Sequence, residues 1–219
     1  MIPIVIQYTP YAEGIKIIGV DGRAARLRLP DTIDGLPVVA VGPYAFAVTA
    51  EAPVSQNRTQ AAYTFLQIED RTRKEAVEAS TGEAVQQVEL PDTVREIDAY
   101  AFAGCTALTA VRLPVGIKKL ADHLFAGCVL LETLHLPPDL EEIGEYAFYD
   151  CRSIKRLRLP ETVKSIGKYA CYNCRSMEEI NIPRGAVQLG TGLFLNCDRL
   201  QYLIFGRCRH IADLVAVLN

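Results

Sequence analysis

Cys171-Tyr172-Asn173-Cys174 spells C-x-x-C, the spacing of thioredoxin-like redox sites and of half a zinc site. No second metal pair and no thioredoxin pattern accompanies it. Both cysteines also fall on positions that recur elsewhere in the chain as core residues, so packing is the expected role and redox or thiol chemistry at Cys171/Cys174 the alternative. Cys208, flanked by Arg207 and Arg209-His210, is the cysteine best suited to an exposed or reactive role. His123, His135 and His210 have neither metal nor triad spacing, and no Gly-rich phosphate loop or Ser-centred elbow occurs. The carboxylate pairs Glu141-Glu142 and Glu178-Glu179 have no partner placed by the pattern and read as solvated faces. The expectation is a non-catalytic protein with no cofactor and no metal.

The elements that hold these residues repeat. From Leu90 to Gly206 a unit of 23 residues recurs five times without a gap, opening at Leu90-Pro91, Leu113-Pro114, Leu136-Pro137, Leu159-Pro160 and Ile182-Pro183. Cys105, Cys128, Cys151, Cys174 and Cys197 form a second column, and Phe102, Phe125, Phe148 and Phe194 a third, in which Cys171 stands once. Self-similarity at this period marks a solenoid whose units bury a face only by stacking on their neighbours. The runs LTAVRL, LETLHL, IKRLRL, MEEINI and LQYLIF predict parallel strands stacked on one face. Val94/Ile97, Ile117/Leu120, Leu140/Ile143, Val163/Ile166 and Val187/Leu189 predict a shorter opposing strand, followed by a helical turn that points its Phe and Cys inward, since i and i+3 share a helix face. Equivalent cysteines one strand spacing apart, about 4.8 Å, are within Cα reach of a disulfide. Parallel equivalent side chains rarely turn toward each other, however, so free buried thiols are expected.

The chain divides accordingly. Residues 1–28 predict an N-terminal lead and a hairpin cap, in which IKIIGV and ARLRL flank the turn dipeptide Asp21-Gly22. Residues 29–206 predict six units, the first degenerate and interrupted by an insertion at about 48–81. Within the insertion, Thr59 to Ala79 has the composition of a helix, with a surface loop as the alternative. Residues 207–219 predict a C-terminal cap.

The columns Leu-x-x-Φ-x-Φ-Pro, Φ-x-x-Ile-Gly and Ala-Phe-x-x-Cys (Φ apolar) resemble the BspA-type leucine-rich repeat family, which Glu141 to Pro160 matches almost column by column. Ile33 to Phe46 is similar to that family's usual opening unit. The resemblance implies a leucine-rich repeat solenoid, a right-handed β-rich superhelix with stacked parallel strands on one face and short strands and helical turns on the other. It also implies a cell-surface or secreted protein that binds host or partner proteins in adhesion. The opening MIPIVIQYTPYAEG lacks the positive leader and long apolar segment of a secretory signal, so the chain is expected to be either cytoplasmic or a mature or trimmed portion of an exported protein.

Fifty per cent hydrophobic residues in 219 suffice for a sizeable core, and a formal net charge of −3 argues against nucleic acid as a partner. No apolar run is long enough for membrane insertion, and a monomer is expected. The surface that remains is the outward side of the stacked strands, where Arg112, His135, Lys155, Arg156 and Arg158 make a locally basic centre beside Tyr202. Extended repeat surfaces bind macromolecules, and Arg with Tyr is typical of interface anchors. Two readings stay open: contact with an acidic partner, protein or glycan, or a face balanced by Glu132, Glu178 and Glu179 on a purely structural spacer.

Overall fold

A computed structural model of the chain describes residues 4–21, 25–46, 64–68 and 85–205. Its strands are β1 (Ile4–Tyr11), β2 (Gly14–Asp21), β3 (Arg26–Arg28), β4 (Thr32–Ile33), β5 (Leu36–Val41), β6 (Thr64–Ile68), β7 (Gln87–Glu89), β8 (Glu96–Ile97), β9 (Ala110–Arg112), β10 (Lys119–Leu120), β11 (Thr133–His135), β12 (Glu142–Ile143), β13 (Arg156–Leu157), β14 (Ser165–Ile166), β15 (Glu179–Ile182), β16 (Gln188–Leu189) and β17 (Tyr202–Phe205). Residues 23 apart pair in parallel, as in Val88↔Val111↔Leu134 and Glu142↔Ser165↔Gln188. The front face carries β3-β7-β9-β11 and then β13-β15-β17, and the back carries β10-β12-β14-β16. Between the two, Phe102, Phe125, Phe148, Leu108, Leu120 and Leu124 are fully buried.

The turn between back and front contains no helix, contrary to the helical turn expected there. It is a run of tight turns, such as Ala103 N–H to Tyr100 O at 3.0 Å and Cys105 N–H to Phe102 O at 3.2 Å. Two left-handed residues per unit interrupt any helix. One column is Tyr100, His123, Tyr146 and Tyr169, with φ of 54–63°; the other is Gly104, Gly127, Asp150, Asn173 and Asn196, with φ of 59–77°. Phe and Cys still point inward, because each turn's N–H groups reach the next coil: Phe102 N–H to Leu124 O at 3.1 Å and Phe125 N–H to Ala147 O at 2.9 Å.

A non-glycine residue in the left-handed region costs on the order of 1 kcal/mol. The aromatic column offsets this by stacking. Ring centroids run Tyr44–Tyr100 5.1 Å, Tyr100–His123 4.5 Å, His123–Tyr146 4.8 Å and Tyr146–Tyr169 5.2 Å, each pair within 19° of parallel. Such pairs contribute about 0.5–1.5 kcal/mol beyond area burial, enough to hold a bulky ring where glycine would fit without strain.

At the N-terminal end the hairpin differs from expectation. β2 pairs antiparallel with β1 through a turn at Ala12-Glu13, not with the ARLRL run across Asp21-Gly22. The apolar alternation of Ile4, Ile6 and Tyr8 gives β2 a longer partner, while Leu27 and Leu29 continue the column of Val88 and Leu90. Arg26–Arg28 thereby becomes the first strand of the front sheet, in register with Gln87–Glu89. Within the run expected to be helical, Thr64–Ile68 is a strand, β6, antiparallel to β1. Its TFLQI spelling is rich in β-formers, and the free edge of β1 supplies the ladder. The rest of that run, most of the 48–81 insertion, and the cap expected at 207–219 lie outside the described residues.

The backbone of the aromatic column gives a test in which the usual order of helix and strand substitutions inverts. Tyr146→Gly is expected to be more stable than Tyr146→Ala by about 1 kcal/mol, both being below wild type, as measured by urea unfolding.

Candidate binding surface

Each front strand places alternate side chains outward, so three outward columns run up the face. The first is Arg26, Gln87, Ala110, Thr133, Arg156, Glu179 and Tyr202, and the second Arg28, Glu89, Arg112, His135, Arg158, Asn181 and Ile204. The third, just ahead of the strands, is Thr109, Glu132, Lys155, Glu178 and Gln201. On a chain of net charge −3, this face carries Arg26, Arg28, Arg112, Lys155, Arg156 and Arg158 against Glu89, Glu132, Glu178 and Glu179. The two N-terminal arginines escape sequence reasoning because ARLRL resembles a hairpin arm; its Leu27 and Leu29, spaced like Val88 and Leu90, are the signal that identifies the strand.

The expected binding residues fall on two ladders. Arg112 and His135 are register partners on β9 and β11, whereas Arg156 and Tyr202 are joined through Glu179 on the separate sheet β13-β15-β17. Among the described residues no ladder joins β11 to β13, and the Lys155 and Arg156 N–H groups lack the bond to Glu132 O that Glu178 and Glu179 make to Lys155 O. Leu134 and Leu136 beside this seam are only partly buried, unlike Val111, Leu113, Leu157 and Leu159.

Ion pairing divides the cations further. Arg112 approaches Asp92 at 3.1 Å and Glu89 at 3.6 Å, so two carboxylates neutralise it. Arg156 and Arg158 share Glu179 at 3.9 and 3.8 Å, with their side chains 66% and 81% exposed. Exposed pairs of that length contribute about 0–1 kcal/mol and leave the cations available. The side chains of His135 and Lys155 have no hydrogen bond or ion pair among the described residues, and Tyr202 is 60% exposed. Glu132 and Glu178, expected as neutralisers, form no salt bridge among the described residues, while Glu179 does.

The cysteines occupy a different environment. Cys105, Cys128, Cys151 and Cys174 are buried and free, and each donates its S–H to a carbonyl of the preceding coil: Phe46, Phe102, Phe125 and Phe148 at 3.1–3.2 Å. Cys197 does the same to Cys171 O at 3.1 Å. Burial pushes the Cys151 thiol well up, and a hydrogen bond with a neighbouring cysteine, aided by burial, does so for Cys105 and Cys174. Cys171 and Cys174 are thus core positions, and the shift at Cys174 is opposite to the depressed pKa of a redox thiol. Cys208 lies outside the described residues. Among those residues, no group of three His, Cys, Asp or Glu is placed to hold a metal, and no helix is long and apolar enough to cross a membrane.

The family model for the BspA type leucine rich repeat region matches residues 79–201 in six copies. The chain belongs to the BspA-type leucine-rich repeat family. These repeats superpose on a leucine-rich repeat protein of T. pallidum with a TM-score of 0.72 and 32% identity, over 91% of this chain and 78% of that one. They are also similar to one from Bacteroides ovatus, with a TM-score of 0.68 and 25% identity over 90% of this chain and 45% of that one. One from Eubacterium ventriosum shares the fold alone, with a TM-score of 0.62 and 16% identity over 92% of this chain and 44% of that one. The chain therefore spans less than half the length of the latter two. A search of curated proteins gives no match. BspA-type repeats are, in general, protein-interaction scaffolds, and the stacked strands with their outward columns are such a scaffold.

Thiol ionisation provides a pH test. The unfolded thiols ionise near 9.0 while those of Cys105, Cys151 and Cys174 in the folded chain stay neutral well above that. Their contribution to stability is complete below pH 9 and is lost as pH rises beyond it. Ellman's reagent at pH 8 is expected to leave Cys105, Cys128, Cys151 and Cys174 unreacted until denaturant is added, and the urea midpoint to fall between pH 9 and 10.5.

Proposed function

We propose that this protein binds an acidic segment of a partner protein across the front face, centred on β11 and β13, in the setting of surface adhesion or host contact that the family suggests. Lys155, Arg156 and Arg158 supply the charge, His135 an adjacent hydrogen-bonding imidazole and Tyr202 the aromatic anchor. Arg112 is peripheral. The observation that carries this reading is the uneven pairing: Arg112 is held between two carboxylates, whereas Arg156 and Arg158 share one and Lys155 has none among the described residues. Charge that is not neutralised internally is what an acidic ligand can use, and it steers association as well as stabilising the complex. A planar, outward guanidinium also suits bidentate pairing with a carboxylate.

Affinity capture from a cell-surface extract, followed by titration of the captured protein, tests the assignment. Lys155→Ala with Arg156→Ala and Arg158→Ala is expected to weaken binding at least tenfold and to flatten its salt dependence. Arg112→Ala is expected to change affinity less than about threefold, the range of a rim or internally paired charge. Equal losses from the two variants, with unchanged melting, would place the contact elsewhere, and retention of an anionic glycan in place of a protein would reassign the partner.

A further inference from the structure

A glycine column fixes how closely adjacent coils approach at the back. A Cβ on Gly144, Gly167 or Gly190 would meet backbone atoms of the preceding coil at 2.7, 2.5 and 2.3 Å. The same closeness forms a rung at each: Gly144 N–H to Leu120 O, Gly167 N–H to Ile143 O and Gly190 N–H to Ile166 O, all 2.8 Å. One coil earlier the column holds Ala121, and there the rung to Ile97 O is missing. The bonds from Lys118 and Lys119 N–H to Arg95 O, counterparts of Glu141 and Glu142 N–H to Lys118 O, are missing as well, and β8, which pairs with β5, does not pair with β10. Asp98 also carries a Cβ in this column but stacks on Gly42 in the degenerate first unit, where its N–H keeps the rung to Val41 O at 2.9 Å. The seam at Ala121 is thus open where those at its glycine counterparts are closed.

The opening is a cleft of about 430 Å³ lined by Arg95, Glu96, Asp98, Lys118 and Lys119 beside Ala121. Its wall on the β10 side presents the N–H groups of Lys118, Lys119 and Ala121, and its wall on the β8 side the carbonyls of Arg95 and Ile97, none bonded among the described residues. Both carboxylates of the lining are engaged outside it: Asp98 with Lys16 at 2.6 Å and Glu96 with the Tyr11 hydroxyl at 2.6 Å. Lys118 and Lys119 make only exposed pairs with Glu141 and Glu142, at 3.6 and 3.3 Å, while Arg95 Nη1 donates to the Asp92 and Val94 carbonyls.

We propose that this cleft binds a phosphate group. Donors on one wall and cations around it call for an oxyanion. Acceptors on the facing wall call for one that still carries a proton. Monohydrogen phosphate, or a phosphomonoester near its second pKa of about 6, accepts from Lys119 and Ala121 N–H while its P–OH donates to the carbonyl of Ile97 or Arg95. Sulfate, fully ionised, leaves those carbonyls unpaired and repels them. The site lies on the back of the solenoid and is independent of the front face.

Amide NMR of the full chain at pH 6.5 with inorganic phosphate, sulfate or acetate, at 1–50 mM and constant ionic strength, tests this. Saturable shifts of the Lys118, Lys119 and Ala121 amides with phosphate, at least fivefold weaker with sulfate and acetate, are expected. Ala121→Gly, which lets the coils close, is expected to abolish the response and slow exchange of its own amide at least tenfold. Arg95→Gln, which leaves both walls in place, should weaken phosphate binding at least threefold. Equal responses to sulfate, no saturable shift, or a phosphate response surviving in Ala121→Gly with its amide protected would each overturn the assignment.

Discussion

Every residue in the array has to coexist with its own counterpart one strand spacing away. Inter-coil backbone bonds set that spacing: on the turn flank Tyr100, Phe102 and Gly104 each donate to the next coil, and on the back Gly144, Gly167 and Gly190 each donate to the previous one. A column therefore accepts only side chains that stack on themselves, pair with themselves, or are absent. Aromatic rings satisfy the first condition, Asx and thiol groups the second, and glycine the third. Charge is tolerated in a column where signs alternate, as in the Lys118–Glu141–Lys164 ladder on the back.

The cysteine column shows what this constraint does to chemistry. A buried hydroxyl needs a partner for its lone pairs as well as its proton, whereas a thiol is a weak acceptor that packs as a small hydrophobe. Here it donates to the Phe carbonyl of the preceding coil, which also accepts the Cys N–H of its own turn, so one oxygen serves both donors. The repeated cysteine is a hydrogen-bonding core residue, and contact with neighbouring thiols together with burial suppresses ionisation at Cys105, Cys151 and Cys174. The C-x-x-C spelling at Cys171 follows from one substitution in the Phe column, so its spacing is that of the repeat and not of a redox site.

Features set by the 23-residue interval are legible from the text: the parallel pairing, the inward Phe and Cys and the back strands. What escapes are features decided by competition between segments. Asp21-Gly22 is a sound local turn signal, yet the Ile4–Tyr11 run outcompetes ARLRL for β2 because its ladder is longer. TFLQI sits among good helix formers, but the edge of β1 decides its state. The tyrosine column stands in the text at Tyr100 and Tyr146, two residues before Phe102 and Phe148, but a half-buried aromatic at a left-handed residue has no sequence signature. In the basic centre, charge was legible and its neutralisation was not: sequence cannot show that Asp92, outside the strand, turns back onto Arg112.

The two open seams bear on how such a scaffold meets a partner. On the front the ladder lapses between β11 and β13, and on the back between β8 and β10, while the turn flank stays bonded through both, as in Tyr100 N–H to Asp122 O and Phe125 N–H to Ala147 O. A solenoid bonded on three sides resists bending. One that lacks a ladder on one side is held there by the remaining sides alone. The front lapse separates Arg112 and His135 from Arg156 and Arg158, so the proposed surface consists of two hydrogen-bonded sheets flanking a seam without backbone bonds, and the cations that lack two carboxylate partners stand on the β13 side of it.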